Sequence, residues 1–227
     1  MKKSAFFLSA ALASAAWAQT DSAKLNVTIP AFESGAPIPE KYAYCMPDGK
    51  GRTKDGGNTN PEIRWSGAPE GTKSYAILVI DPDVPASFEL ANQAGKTIPE
   101  NFPRRDFYHW VLFDISATVT SIEEGRDSAK VVAGGKPIGK LAYGITGPND
   151  FAKAYGGSYG GYDGPCPPWN DERLHHYHFI VYALDVETLG LSGPLEGKLV
   201  QDAIKGHVLA SGEAMGTYTN HPGLVKK

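Results

Sequence analysis

The chain has 227 residues, ample for one domain with a full hydrophobic core and short for two. Its formal charge of −3 gives no pull toward a nucleic-acid polyanion. With 26 glycines, 17 prolines and few apolar patterns of helical period, the composition points to a β-rich domain with long loops.

Residues 1–18 read as a secretion signal. Lys2 and Lys3 supply a positive start, residues 5–16 are apolar but too few to span a bilayer, and Ala16-Trp17-Ala18 fits a small-x-small cleavage site. The mature chain would begin at Gln19, with two lysines fewer and a net charge of −5, and would keep no transmembrane segment. Export to a bacterial periplasm or beyond follows. An oxidising compartment favours pairing of the only two cysteines, Cys45 and Cys166, both in turn-rich loops. A catalytic cysteine is the rival reading, and it would need a cationic neighbourhood and a base.

Along the mature chain, residues 25–29 alternate apolar and polar and predict a half-buried strand. Residues 50–61 are polar and glycine-rich, so a loop. Three continuous apolar runs follow, YAILVI at 75–80, HWVLFDI at 109–115 and HFIVYAL at 178–184, and these predict the core strands, the first buried on both faces. Leu195, Leu199, Ala203 and Ile204 stand at helical spacing within residues 195–208, so a short amphipathic helix is expected there, ended near Gly206. Residues 216–218 would form the last strand. No repeat and no linker divides residues 19–227, which read as one domain.

Polar constellations gather at the ends of the three core strands. Asp81-Pro82-Asp83-Val84-Pro85 follows the first, and since proline donates no ladder hydrogen bond, that strand is predicted to stop at Asp81. His109-Trp110 opens the second, and His175-His176-Tyr177-His178 leads into the third. Between them lies YDGPCPP, residues 162–168, too proline-rich to be a regular element. Each feature alone is ordinary; together at comparable strand ends they mark a site.

These stretches resemble the signature of the phosphatidylethanolamine-binding proteins, most closely their bacterial Raf kinase inhibitor-like branch. The resemblance rests on Asp81 to Pro85, His109-Trp110, Gly164 to Pro168 and His175-His176-Tyr177, with Asn60 to Trp65, Gly71 to Tyr75 and Asn149 to Phe151 in support. It runs from about Leu25 to Tyr218. It implies a mostly β fold, a two-sheet antiparallel β-sandwich with a few short helices. It also implies a small surface pocket for an anionic group such as phosphate or a phospholipid head group, with no cofactor and no metal. The implied wall is Asp81, Asp83, His109, Gly164, Pro167, Pro168, His175 and Tyr177. His176 stands where the family often has arginine, and residues 154–161 lengthen the loop before the pocket. The seven glycines in residues 144–168 are expected to let backbone N–H groups approach a ligand.

Two carboxylates beside an anion would raise the pKa of His109 and His175 above about 6.5 and hold the rings, or one acid would pair with a cationic amine. A zwitterion such as phosphoethanolamine satisfies both. Two other classes stay open. The acids and histidines could bind a metal or run a hydrolysis, though neither HExxH nor G-x-S-x-G is present. The wider family also includes inhibitors, and for an exported chain a protease or host protein is the more suitable target than a cytosolic kinase.

Overall fold

In the computed structural model, residues 23–193 and 195–225 are described. The expected signal segment 1–18 lies outside them. The strands, in chain order, are β1 (Ala23–Lys24), β2 (Asn26–Thr28), β3 (Cys45–Pro47), β4 (Thr53–Asp55), β5 (Ile63–Ser66), β6 (Ser74–Pro85), β7 (Arg104–Ser116), β8 (Ser121–Ile122), β9 (Gly139–Lys140), β10 (Ile145–Thr146), β11 (His175–Leu184) and β12 (Val208–Tyr218). Helix α1 (Phe151–Tyr155) precedes β11, and α2 (Gly197–Ile204) joins β11 to β12.

Seven strands form one sheet in the order β1-β12-β11-β6-β7-β10-β9; three form a second, β2-β5-β8; and β3 pairs with β4. All pairings are antiparallel except β1 with β12, which departs from the expected pattern. The three apolar runs lie in the adjacent strands β11, β6 and β7 at the centre of the large sheet. Alternate residues of β6 serve two cores. Tyr75, Ile77 and Val79 pack toward Val27, Ile63 and Trp65 of the small sheet, while Ala76, Leu78 and Ile80 pack with Val200 and Ile204 of α2. Burial on both faces is why this strand reads as an unbroken apolar run.

Four expectations are corrected. First, β6 does not stop at Asp81. Asp81 pairs with Phe107 and Val84 with Arg105, so Pro82 and Asp83 oppose the single residue Asp106 in a bulge. A bulge leaves a backbone N–H unpaired, so a residue that lacks one is accommodated there. Second, residues 50–61 are not all loop, because β4 pairs with β3. Third, the helix covers Gly197–Ile204, and it buries Val200 and Ile204 while Leu199 is exposed. Leu195 and Ile204 of the expected stripe do join the core, and Val200 takes the place expected of Leu199. Fourth, β7 begins five residues before His109, and β12 is a strand of eleven residues rather than three.

Cys45 and Cys166 are joined in a disulfide across a sequence separation of 121, with Cα atoms 4.9 Å apart. The bond fastens the YDGPCPP segment to β3. In the chain-entropy account a loop of this length contributes roughly 4–5 kcal/mol. Replacing both cysteines by serine should therefore lower the unfolding free energy by about that amount in denaturant titration. A loss below about 1 kcal/mol would show that packing alone holds the segment.

Candidate functional site

Two bulges build one corner of the sandwich. The first is the Pro82–Asp83 bulge of β6. The second sits on β7, where Val79 pairs with Trp110 and Ile80 with Tyr108, leaving His109 opposite neither. The His109 carbonyl, lacking a ladder partner, accepts from the Asp163 N–H at 2.9 Å. Phe107, Phe151, Tyr159 and Val84 form a small apolar cluster beside it. A cavity of about 290 Å³ opens here, at the small end of the range for ligand pockets.

Six of the eight residues that the resemblance implied line this cavity: Asp81, His109, Pro167, Pro168, His175 and Tyr177. Asp83 and Gly164 do not. The Asp83 carboxylate accepts from Arg173 Nε at 2.6 Å and from the His176 backbone N–H and ring Nδ1 at 3.0 and 2.7 Å. Burial would raise its pKa, but these partners hold it below the usual carboxylate value. Gly164 works from behind the wall: its N–H donates to Asn58 Oδ1 at 2.9 Å, and a Cβ there would collide with the Tyr42 carbonyl oxygen. The lengthened loop contributes Ala154 and Tyr155 to the cavity. Its glycines do not. Gly157 and Gly160 press against the Gly134 and Pro137 carbonyls, so their missing side chains permit loop-on-loop packing rather than ligand approach.

The quoted proline segment is held on every side. The Asp163 carboxylate accepts from Asn58 Nδ2 and Asn149 Nδ2 at 2.7 and 2.8 Å and pairs with Lys136. The Pro165 carbonyl accepts from the Tyr44 and Cys45 N–H groups, and the Pro167 carbonyl from Asn220 Nδ2. Its rigidity belongs to the cavity wall.

His175 is fully buried, and both its ring nitrogens are engaged. Nδ1–H donates to Asp81 Oδ2 at 2.7 Å and Nε2–H to Asp171 Oδ2 at 3.2 Å. Asp171 in turn accepts both guanidinium NH groups of Arg104. Burial alone would lower the His175 pKa, but the Asp81 and Asp171 carboxylates raise it from 6.5 to about 9. His109 goes the other way. It donates Nδ1–H to the Asp163 carbonyl at 2.7 Å, and burial lowers its pKa despite the nearby Asp81. The expectation that the acids raise both histidines holds for His175 and fails for His109. Nε2 of His109 is then a lone-pair acceptor, and it has no partner; neither has the buried Tyr177 hydroxyl.

Sequence reasoning missed Asp171, Arg104, Phe107, Phe151 and Phe88. Asp171 lies four residues before His175 in the turn that enters β11, which is the one local signal that could have found it.

A family model described as phosphatidylethanolamine-binding protein matches residues 28–219. The chain belongs to the phosphatidylethanolamine-binding protein family. Relatives include the UPF0098 protein YbcL of Escherichia coli, 34% identical over 72% of this chain and 73% of that one. A UPF0098 protein of Aquifex aeolicus is 32% identical over 86% and 96%. The crystal structure of Escherichia coli YbcL, described as a new member of the mammalian family, superposes with a TM-score of 0.63 at 30% identity, covering 87% of this chain and 99% of that one. A Chlamydia trachomatis homologue superposes with a TM-score of 0.59 at 28% identity, over 87% and 98%.

The two histidines predict opposite titrations. By NMR, the His175 ring should lose its proton near pH 9 and the His109 ring should stay neutral down to below pH 6.5. A folded pKa raised above 6.5 means that His175 adds stability below pH 6.5 and loses it as pH rises to about 9. The shift corresponds to about 3 kcal/mol. The stability gap between wild type and His175→Gln should shrink by that order from pH 6 to pH 9.5. A constant gap would remove the charged His175 from the core.

Proposed function

We propose that this is an exported, non-catalytic binding protein whose cavity takes a small ligand bearing an anionic group, such as phosphate or a phospholipid head group. The observation that carries this reading is the pre-organised cavity itself. It has rigid walls from Pro167, Pro168 and the Cys166 disulfide, and a polar end from Asp81, His109, His175 and Tyr177. Its volume suits a head group and not an acyl chain. Membership of the phosphatidylethanolamine-binding family supports the ligand class.

The arrangement of side chains disfavours hydrolysis. No serine, threonine or free cysteine is among the described residues that line the cavity. His175 has no free nitrogen to act as a base, and the imidazole of His109 has no serine, threonine or thiol in the cavity to activate; the hydroxyl near it is the phenol of Tyr177, whose pKa burial raises. The sequence of residues 1–18 supports export, and so does the disulfide, because such bonds persist in oxidising compartments. The exported protein should show a mature N-terminus at Gln19 by intact-mass analysis of the periplasm or medium; an unprocessed Met1 chain recovered from the cytoplasm would overturn the export reading.

Titration calorimetry with inorganic phosphate and phosphoethanolamine tests the binding reading. Ala154 stands exposed on α1 at the cavity edge, so Ala154→Trp fills the opening without touching a polar group. It should weaken binding at least tenfold, about 1.4 kcal/mol, with the thermal unfolding unchanged. Equal affinities for the variant and wild type would move the ligand elsewhere on the molecule.

A further inference from the structure

Two histidines of the HHYH run take no part in the cavity wall, His176 and His178. Side chains alternate along β11, so His175 and Tyr177 face the cavity while His176 and His178 lie on the opposite face of the sheet. Further along β11 that face carries Ile180 and Tyr182 into the core beneath α2; at the start of the strand it is half-buried. Each of the two rings is held at Nδ1 by a carboxylate, His176 by Asp83 at 2.7 Å and His178 by Glu213 at 3.2 Å. An ionised carboxylate only accepts, so Nδ1 carries the proton and the neutral ring keeps its lone pair on Nε2. Neither Nε2 has a partner among the described residues, and the two side chains are 39% and 32% exposed. On β12 the residue directly opposite His178 is Met215. Its neighbours Ala214 and Gly216 pack into the main core, so Met215 points to the histidine face. Opposed residues have Cβ atoms about 4.5–5.5 Å apart, and residues two apart on one strand are separated by about 6.5 Å. Two imidazoles and a thioether therefore border one patch of surface.

We infer that His176, His178 and Met215 form a copper site on the face of the large sheet opposite the cavity. A carboxylate behind the other ring nitrogen is the common support of a metal-bound imidazole, because it fixes the tautomer and raises the basicity of the free nitrogen. Both rings have that support here. The donor types choose the metal. Imidazole suits copper and zinc alike, whereas a thioether favours Cu(I). No group of three or more histidine, cysteine, aspartate or glutamate side chains among the described residues could hold a metal, so no closed zinc cage is offered and the third donor is sulfur. The local charge suits a cation. Asp83 is balanced by Arg173, whose Nε lies 2.6 Å from it, which leaves Glu213 as the acid whose charge faces the patch. Water completes the coordination on the exposed side. The site is independent of the anion-binding reading, since none of its three donors lines the cavity.

The probes are Cu(II), Cu(I) and Zn(II), added to the protein with its disulfide intact. Cu(II) and Zn(II) affinities are read by titration calorimetry, and that of Cu(I) by competition with bicinchoninate without oxygen. Electron paramagnetic resonance at one equivalent of Cu(II) should show coupling to two nitrogen donors, a readout on the wild type that needs no variant. His176→Gln and His178→Gln should each weaken Cu(II) and Cu(I) at least tenfold. Met215→Leu, which keeps the volume and removes the sulfur, should weaken Cu(I) at least tenfold and Cu(II) under threefold. His207→Gln and His221→Gln, whose rings stand elsewhere on the surface, should change either affinity under twofold. Thermal unfolding without metal should be the same for every variant. Absence of copper binding, or a spectrum with fewer than two nitrogens, overturns the site. Losses of equal size in His207→Gln or His221→Gln mean copper scavenged by scattered surface histidines and overturn it too. Cu(I) affinity unchanged in Met215→Leu removes the sulfur, and zinc bound as tightly as Cu(I) overturns the choice of metal.

Discussion

His175 is the residue on which this corner of the molecule depends. A charged imidazole with no solvent exposure is tolerable only because Asp81 holds one nitrogen and Asp171 the other. Those two acids come from different places, the bulged part of β6 and the turn before β11. Arg104 then carries the chain of charges onward, binding Asp171 with both NH groups and reaching the carbonyls of Asp83, Phe102 and Pro99. One buried proton thereby ties together a bulged strand, a turn and a long loop. Removing a single partner would leave a charge without compensation inside the protein, which costs more than any one of these contacts contributes.

The two histidines of the site show how neighbours set chemical roles. They belong to adjacent walls of one cavity, both buried, both close to Asp81. What separates them is the group facing Nδ1. A carboxylate stabilises the charged ring of His175, whereas a backbone carbonyl only orients the ring of His109 and leaves burial to decide its charge. The outcome is one histidine that works as scaffold and one that faces the cavity with an acceptor. Such a division fits recognition better than turnover, since no proton is left mobile between them.

The central strands were legible because burial on both faces forces an unbroken apolar run, and the short length and β-branched content of YAILVI favour a strand over a helix, although β6 extends to twelve residues. The burial of Leu25, Val27 and Ile29 was legible for the complementary reason, their strict alternation, but no single strand covers residues 25–29: the chain there passes from β1 to β2, which belong to different sheets. Pro82 misled, because the rule that proline ends a strand assumes an intact ladder, and a bulge removes that assumption. Leu199 was read as the core residue in place of Val200 because the two are equally apolar, and only tertiary packing chooses between them. Within the site, the histidines, Asp81 and the paired prolines stood out as local constellations. Arg104, Asp171 and Phe107 did not. Each acquires meaning from a partner across the fold or from a ring two residues along a strand, and no spacing pattern encodes that. The neutrality of His109 was illegible for the same reason, since it is set by burial that only the folded molecule provides, while a carbonyl 54 residues away orients the ring.

A disulfide in the wall of a binding cavity joins two equilibria that are otherwise separate. Cys166 lines the cavity beside Pro167 and Pro168, and its partner Cys45 lies on β3, next to strand β4 and far from His109 and His175 in sequence. Whatever factor of affinity is lost when the bond opens is, by reciprocity, the factor by which an occupant makes the bond harder to open. A tenfold effect corresponds to about 30 mV in the reduction potential of the pair. The occupied protein and the empty one would therefore stand at different points on the redox scale of the same compartment, and ligand supply would decide how much reductant the fold withstands.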